Sequence, residues 1–255
     1  MYIERTNSTN TLLRELIAKG EWQAGEEYLY TGFQTAGRGQ SGNGWESEEG
    51  KNLLCSILLS HQPSEVSRQP FDLNVAVSVA VHRMVNSQFS ILHSQLTIKW
   101  PNDIYWKDKK IAGILVENAL IGSEVRYSIA GIGLNVNQTE WLSNAPNPVS
   151  MRQISGEEYD IHELMKTLMN EMHTVLAMES EEIWAYYRTH LYRKDGFWPF
   201  VEREVSIAPT MNANKETEGI FLAKIENIRA DGEIELRDQE GNLRLYHFKE
   251  VRYVL

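Results

Sequence analysis

At Gly196 the hydropathy pattern changes period, and this divides the chain. Up to Lys194-Asp195-Gly196, strand-like runs are interleaved with helical ones. Beyond it, Glu202 to Ile207, Gly219 to Ile228, Glu233 to Leu236 and Leu243 to Phe248 only alternate apolar with polar. Asp231-Gly232 and Glu240-Gly241 stand between these runs as hairpin turns. The expected organisation is therefore an α+β domain over residues 1–196 and a small all-β domain, a barrel, over 197–255. A length of 255 residues suits one large and one small domain.

Within the first part, Leu12, Leu13, Leu16 and Ile17 recur at helical spacing between the capping side chains of Ser8 to Thr11 and Gly20. Phe71 to Phe89 carries Leu73, Val77, Ala80, Val81, Met84 and Val85 in helical register and predicts a buried helix. Asp160 to Tyr192 reads as mostly helical. Strands are predicted over Glu27–Phe33, Asn52–Leu59, Leu96–Trp100, Asp103–Trp106, Lys110–Glu117 and Val125–Asn135, with a loop over Pro146–Gly156. Gly131 and Gly133 inside a strand mark close approach of a ligand or another backbone.

Composition narrows the function. A net charge of −10 argues against broad nucleic-acid binding, which needs clustered Lys and Arg, but allows a local site for a small anion. The single cysteine, Cys55, lies in an apolar run and reads as a core thiol. No run approaches the ~20 apolar residues of a membrane helix, and the N-terminus has no signal-peptide pattern, so the expected location is the cytoplasm. The seven His and one Cys show no zinc-site spacing.

Three segments are rich in usable chemistry. Gly37 to Gly50 holds five glycines in fourteen residues, so backbone N–H groups beside Arg38 can wrap an anion. Lys99-Trp-Pro-Asn-Asp103 sets two charges, an amide and a rigid proline at a strand end. Lys110 opens the apolar strand to Glu117. Taken singly these are also a surface loop, an ordinary turn junction and a solvated lysine. If Arg38, Lys99 and Lys110 share one cavity, they make a site where two anions can be brought together.

In order, Ser8-Thr-Asn10, Gln34-Thr-Ala-Gly-Arg-Gly39, Lys99 to Asp103, Lys110-Ile-Ala-Gly-Ile-Leu-Val-Glu117 and Gly131-Ile-Gly-Leu-Asn135 resemble the biotin protein ligases over nearly the whole chain. The resemblance implies a mixed-sheet catalytic domain related to class II aminoacyl-tRNA synthetases and a C-terminal SH3-like barrel. With the first motif at residue 8, it implies the enzyme-only form without a DNA-binding domain.

The implied reaction uses ATP with Mg²⁺ to convert biotin to biotinyl-5′-AMP. A lysine of a biotin carboxyl carrier protein, part of a biotin-dependent carboxylase, then takes the biotinyl group. No nucleic acid or membrane partner is implied, and family members range from monomers to homodimers. The alternatives are a lipoate or octanoate ligase on the same fold, and a non-catalytic biotin-binding module.

The resemblance also implies roles. Lys110, Arg38 and Asp103 are catalytic, with Asp103 taking or orienting the proton of the carrier lysine. Ser8, Thr9, Asn10, Gln34, Gly37, Arg38, Gly39, Lys110, Gly113, Ile114, Gly131 and Gly133 bind biotin. Arg38, Gln40, Trp45, Lys99, Asn102, Asp103 and Asn135 bind the nucleotide, with Trp45 near adenine. Magnesium is held mainly by the ATP phosphates. Gln40 stands where some members carry a further arginine, and Lys51 is a candidate replacement for that charge. The Gly-rich loop is expected to order over the adenylate.

Overall fold

Two sheets organise the chain. The computed structural model describes residues 1–39, 44–60, 70–89, 95–121, 124–143, 145–203 and 219–255. The first sheet is formed by β1 (Tyr2–Thr6), β2 (Tyr28–Gln34), β3 (Leu53–Ser60), β4 (Leu96–Lys99), β5 (Asp103–Trp106), β6 (Lys109–Ile121) and β7 (Glu124–Leu134). Its spatial order is β1-β2-β3-β7-β6-β5-β4, with β1 parallel to β2 and all other pairs antiparallel. It is a mixed sheet in an α+β fold.

Helices cover both faces. On one lies α1 (Thr9–Lys19), where Leu13 packs with Leu29 and Ile129. Gly20 ends α1 in the left-handed region at φ 71°, as its position after the last apolar residue predicts. On the other face lie α2 (Pro70–Gln88), α4 (Ile161–Leu176) and α5 (Ser180–Thr189). Val75, Ala76, Val77, Val79, Ala80 and Val81 are all buried, because α2 is enclosed by the sheet on one side and by α4 and α5 on the other. Leu164, Leu168, Met172 and Val175 form the buried stripe of α4, which Asp160 caps by accepting from the His162 and Glu163 amides. Cys55 is buried, and burial pushes its thiol up to about 12, as expected of a core residue.

The C-terminal strands are β8 (Trp198–Glu202), β9 (Ile220–Ile228), β10 (Ile234–Asp238), β11 (Leu243–Tyr246) and β12 (Val251–Tyr253). They form a sheet in the order β11-β10-β9-β8-β12. Its buried residues, among them Phe200, Ile228 and Leu236, join the same apolar cluster as α2 and α5. Trp100 ties the sheets together: its indole N–H donates to the Gly232 carbonyl at 2.9 Å and its ring meets Phe248 edge-on at 6.0 Å.

At four places the structure refines, adds to or shifts the elements expected from the sequence. The loop over 146–156 contains a short helix, α3 (Met151–Ser155), closed by a capping box between Ser150 and Gln153. The helical stretch of 160–192 is two helices, broken after Leu176 so that Ile183, Trp184 and Tyr187 turn into the core. The first strand, β1, has no counterpart in the sequence reading; its alternation is too short to register. The strand expected over Glu202–Ile207 is observed four residues earlier, and residues 204–207 lie outside the described ones.

Candidate functional site

The middle of the first sheet forms a glycine floor. Gly113 pairs with Gly133 and Leu115 with Gly131, and the two-residue period of strands puts these four on the face that carries α1. The indole of Trp45 lies across it: a Cβ on Gly133 would sit 2.5 Å from Trp45 Cε2, and one on Gly113 2.8 Å from Cζ3. Gly131 makes room for Asn10, whose Oδ1 would be 2.4 Å from a Cβ there. Gly37 fixes the entry of Trp45. Its carbonyl accepts from the Trp45 amide at 2.9 Å, and a Cβ would lie 2.6 Å from the Trp45 carbonyl. The Trp45 indole nitrogen is buried and has no hydrogen-bond partner among the described residues.

Lys110 reaches this face because β6 is irregular. Residues three apart in a regular strand face opposite ways, yet Lys110 Nζ is 3.1 Å from where a Gly113 Cβ would be. The β5–β6 register shifts between Ile104 and Tyr105, pairing Ile104 with Ala112 but Tyr105 with Lys110. The extra residue re-aims the lysine. Its backbone is held by Asn147 and Val149, at 2.8 and 2.9 Å. Lys110 Nζ pairs with Asp103 Oδ1 at 2.7 Å and lies 5.5 Å from the Trp45 ring centroid.

Lys99 is more enclosed. Its ammonium donates to the Tyr105 hydroxyl at 3.0 Å and lies 4.5 and 5.2 Å from the Tyr105 and Tyr253 ring centroids. Burial lowers its pKa to about 8, against the opposing pull of Asp103. Asn102 is buried, with its amide donating to the Ile114 carbonyl at 2.9 Å.

The N-terminal motif forms a side wall. Ser8 is the N-cap of α1 but makes no side-chain capping bond, so its hydroxyl is left to the cavity. Gln34 Oε1 accepts from the Thr9 amide and hydroxyl at 2.7 and 3.1 Å. Asn10 is engaged on all sides: it donates to Glu117 at 2.7 Å and accepts from Ser56 at 2.5 Å. Glu117 also pairs with Arg14 at 2.9 Å and Arg38 at 3.4 Å.

These elements enclose one cavity of about 250 Å³. Of the residues singled out from sequence, it is lined by Ser8, Thr9, Asn10, Gln34, Arg38, Gly39, Trp45, Lys99, Asn102, Asp103, Lys110, Gly113, Ile114, Gly131 and Gly133. Four sit otherwise than expected. Gly37 acts behind the wall by seating Trp45. Asn135 does not line the cavity; its amide donates to the Val149 carbonyl at 3.1 Å and lies 3.4 Å from that of Lys110, bracing the irregular strand end. Lys51 is not among the lining residues either. Gln40, and with it the middle of the Gly-rich loop, lies outside the described residues. Trp45, expected beside the nucleotide, covers the two glycines expected beneath biotin.

The opposite wall carries no local sequence signal. Arg203, Phe248, Lys249, Val251, Arg252 and Tyr253 of the C-terminal sheet all line the cavity. The alternation of Val251, Arg252 and Tyr253 marks Arg252 as pointing away from its own sheet's core; nothing local indicates what it points toward.

Among the described lining residues, six are cationic (Arg38, Lys99, Lys110, Arg203, Lys249, Arg252) and one is acidic, Asp103. In a chain of net charge −10, that concentration fits a polyanion. The described residues contain no cluster of three His, Cys, Asp or Glu side chains, and Asp103 is committed to Lys110. A divalent ion fits this cavity as a passenger on phosphate oxygens rather than on a protein cage.

The profile of the Biotin/lipoate A/B protein ligase family matches residues 2–135. The bifunctional ligase/repressor BirA of Bacillus spizizenii is 32% identical over 221 residues, covering 84% of this chain and 62% of that protein. A biotin–[acetyl-CoA-carboxylase] ligase of Mycobacterium tuberculosis is 28% identical over 170 residues, covering 67% of this chain and 61% of that one. The chain thus spans about three-fifths of the length of these curated relatives. In fold it is similar to the biotin protein ligase of Aquifex aeolicus solved with biotin and ATP: TM-score 0.74 and 22% identity, covering 100% of this chain and 98% of that one. With more than half its length matched by the family profile, the chain belongs to the Biotin/lipoate A/B protein ligase family.

Proposed function

We propose that the protein activates biotin with ATP as biotinyl-5′-AMP and transfers the biotinyl group to a lysine of a biotin carboxyl carrier protein. The observation that carries this is the convergence of Arg38, Lys99 and Lys110 on one cavity with a glycine floor. A carboxylate is a poor acyl donor, and making it a mixed anhydride with AMP supplies a leaving group. Its attack on the α-phosphorus joins two anions, so positioned cations supply most of the acceleration.

On this reading Lys110 holds the biotin carboxylate against the α-phosphate, Arg38 and Gly39 close over the adenylate, and Ser8, Thr9 and Gln34 hydrogen-bond the ureido ring. Asp103 takes or orients the proton of the attacking carrier lysine. Asn10 acts by positioning Glu117 and the wall. Magnesium, when bound, would be held mainly by the ATP phosphates and would supply charge neutralisation there. We take residues 1–196 as the catalytic domain, of the class II synthetase type, and 197–255 as an SH3-like module. The proportions of the fold and the one-walled placement of the second sheet support this division.

The test is transfer of labelled biotin to a carboxylase carrier domain with ATP and Mg²⁺. Transfer that requires both substrates supports the reading. Transfer of lipoate or octanoate in preference to biotin would replace it with the alternative activity of the family.

A further inference from the structure

One carboxylate beside the cavity carries more donors than it can serve well. Oε2 of Glu117 accepts from the Asn10 amide at 2.7 Å, and it pairs with an Arg14 guanidinium nitrogen at 2.9 Å and with one of Arg38 at 3.4 Å. A carboxylate oxygen has about two lone-pair sites, so three donors cannot all hold good geometry. The distances show which gives way. Asn10 and Arg14 fill the oxygen, and Arg38 is the surplus donor.

The first sheet and α1 set this order. Asn10 is seated by the Ser56 hydroxyl, which donates to its Oδ1 at 2.5 Å, and by the room that Gly131 leaves. Arg14 lies four residues further along α1, so it shares the face of Asn10. Glu117 follows Gly113 and Leu115 at the two-residue period of β6 and points to the same side of the sheet. Arg38 lines the cavity, whereas Arg14 and Glu117 do not. A cavity cation is therefore held, at long distance, by a group outside the cavity. Lys110 differs, since its 2.7 Å partner, Asp103, lines the cavity with it.

We propose that Glu117 and Arg14 are positioning residues that park and release Arg38. This rests on the reading above, in which Arg38 closes over the adenylate. Glu117 holds the guanidinium beside the cavity before substrate enters. Arg14 keeps the carboxylate neutralised once Arg38 turns to the ligand, so the move strands no charge. Without Arg14, Arg38 takes the vacated lone pair and becomes the only cation on Glu117 among the described residues. Its departure then leaves the carboxylate uncompensated, and ligand binding weakens accordingly.

The experiment compares wild type with Arg14→Gln, Arg14→Lys, Glu117→Gln and the double variant Arg14→Gln/Glu117→Gln. Two quantities are measured: adenylate formation against biotin concentration, and cleavage of the unliganded chain by trypsin after Arg38, which requires that side chain to be free. Arg14→Gln should raise the KM for biotin about three- to fivefold, as for one partly exposed ion pair, with kcat nearly unchanged, and should slow the cleavage. Arg14→Lys keeps the charge and should stay near wild type. Glu117→Gln should speed the cleavage. The double variant should bring the KM back toward wild type, because no carboxylate is left to capture Arg38. A merely structural Arg14 would leave the double variant at least as impaired as the single one. That result would overturn the proposal, as would an unchanged KM in Arg14→Gln or equal cleavage after Arg38 in every variant. If the order of cleavage holds but wild type makes no biotinyl-AMP, the parking of Arg38 stands and the proposed activity falls.

Discussion

The two walls of the cavity are built on opposite principles. The wall built on the first sheet is backbone-rich and self-satisfied: glycines in register under Trp45, Lys110 against Asp103, Arg38 and Asn10 against Glu117. The C-terminal wall carries Arg203, Lys249 and Arg252, which have no ion-pair partner among the described residues. A flat glycine surface with paired ions suits a largely apolar ring system whose single carboxylate displaces one ion pair at a time. An unbalanced cationic wall suits a polyanion. The difference puts two kinds of chemistry in one cavity, one from the first sheet and one from the C-terminal strands.

The comparison breaks most readily at Lys110. Lys110→Ala should lower adenylate formation by about 10³-fold, as for loss of one well-placed electrostatic group. Stability should change by under ~1 kcal/mol, because its pair with Asp103 is partly exposed. Pyrophosphate release near the wild-type rate in that variant would take Lys110 out of the chemistry.

Next comes the floor. Gly133→Ala puts a methyl 2.5 Å from Trp45 and should cost about 1–3 kcal/mol of stability by overpacking. Its biotin affinity should fall on the order of tenfold. Adding Trp45→Ala should restore much of the stability. Strict additivity of the two changes in a thermal-melt cycle would show that the close approach is not what makes Gly133 necessary.

Asn10 sharpens the wall. Asn10→Ala leaves the buried Ser56 hydroxyl without its partner and should cost about 1–3 kcal/mol, read as a lowered denaturant midpoint. A variant as stable as wild type would return Asn10 to a direct ligand role.

The smallest expected effect is on pH. Burial lowers the Lys99 pKa to about 8 from an ordinary 10.5, so the folded protein loses this charge as pH rises through 8 while the unfolded chain keeps it to 10.5. The contribution of Lys99 to stability therefore rises over that window, whereas its attraction for phosphate falls. The KM for ATP should increase a few-fold above pH 8, by about the factor expected for one titrating group. Lys99→Arg, charged throughout, should flatten the profile; an unchanged profile would move Lys99 away from the nucleotide.

Much of the catalytic wall was legible in the sequence because it is made of local signals. Glycines two apart in β7, a capping residue followed by helical spacing, and a lysine opening an apolar strand each announce themselves within a few residues. Fifteen of the residues singled out by these motifs together with the family resemblance line the cavity. Asn135 marks the limit of such signals: an amide at a strand end reads the same whether it faces a ligand or donates, as here, to the Val149 carbonyl. The C-terminal cations were invisible for a related reason: alternation shows that a side chain leaves its own sheet, not what lies beyond.

By itself, then, the sequence determined the kinds of element, the change of architecture near Gly196 and the chemistry available on the first sheet. These follow from periodicity and from backbone preferences that neighbours set. Only the tertiary structure decided which face Lys110 takes, since that depends on a register shift between β5 and β6. It alone decided that Arg203, Lys249 and Arg252 line one cavity with Lys99 and Lys110, because the two sheets are joined by packing Trp100 against Gly232 and Phe248. Contacts between residues so far apart in the chain are fixed by the shared core, and no local pattern encodes them.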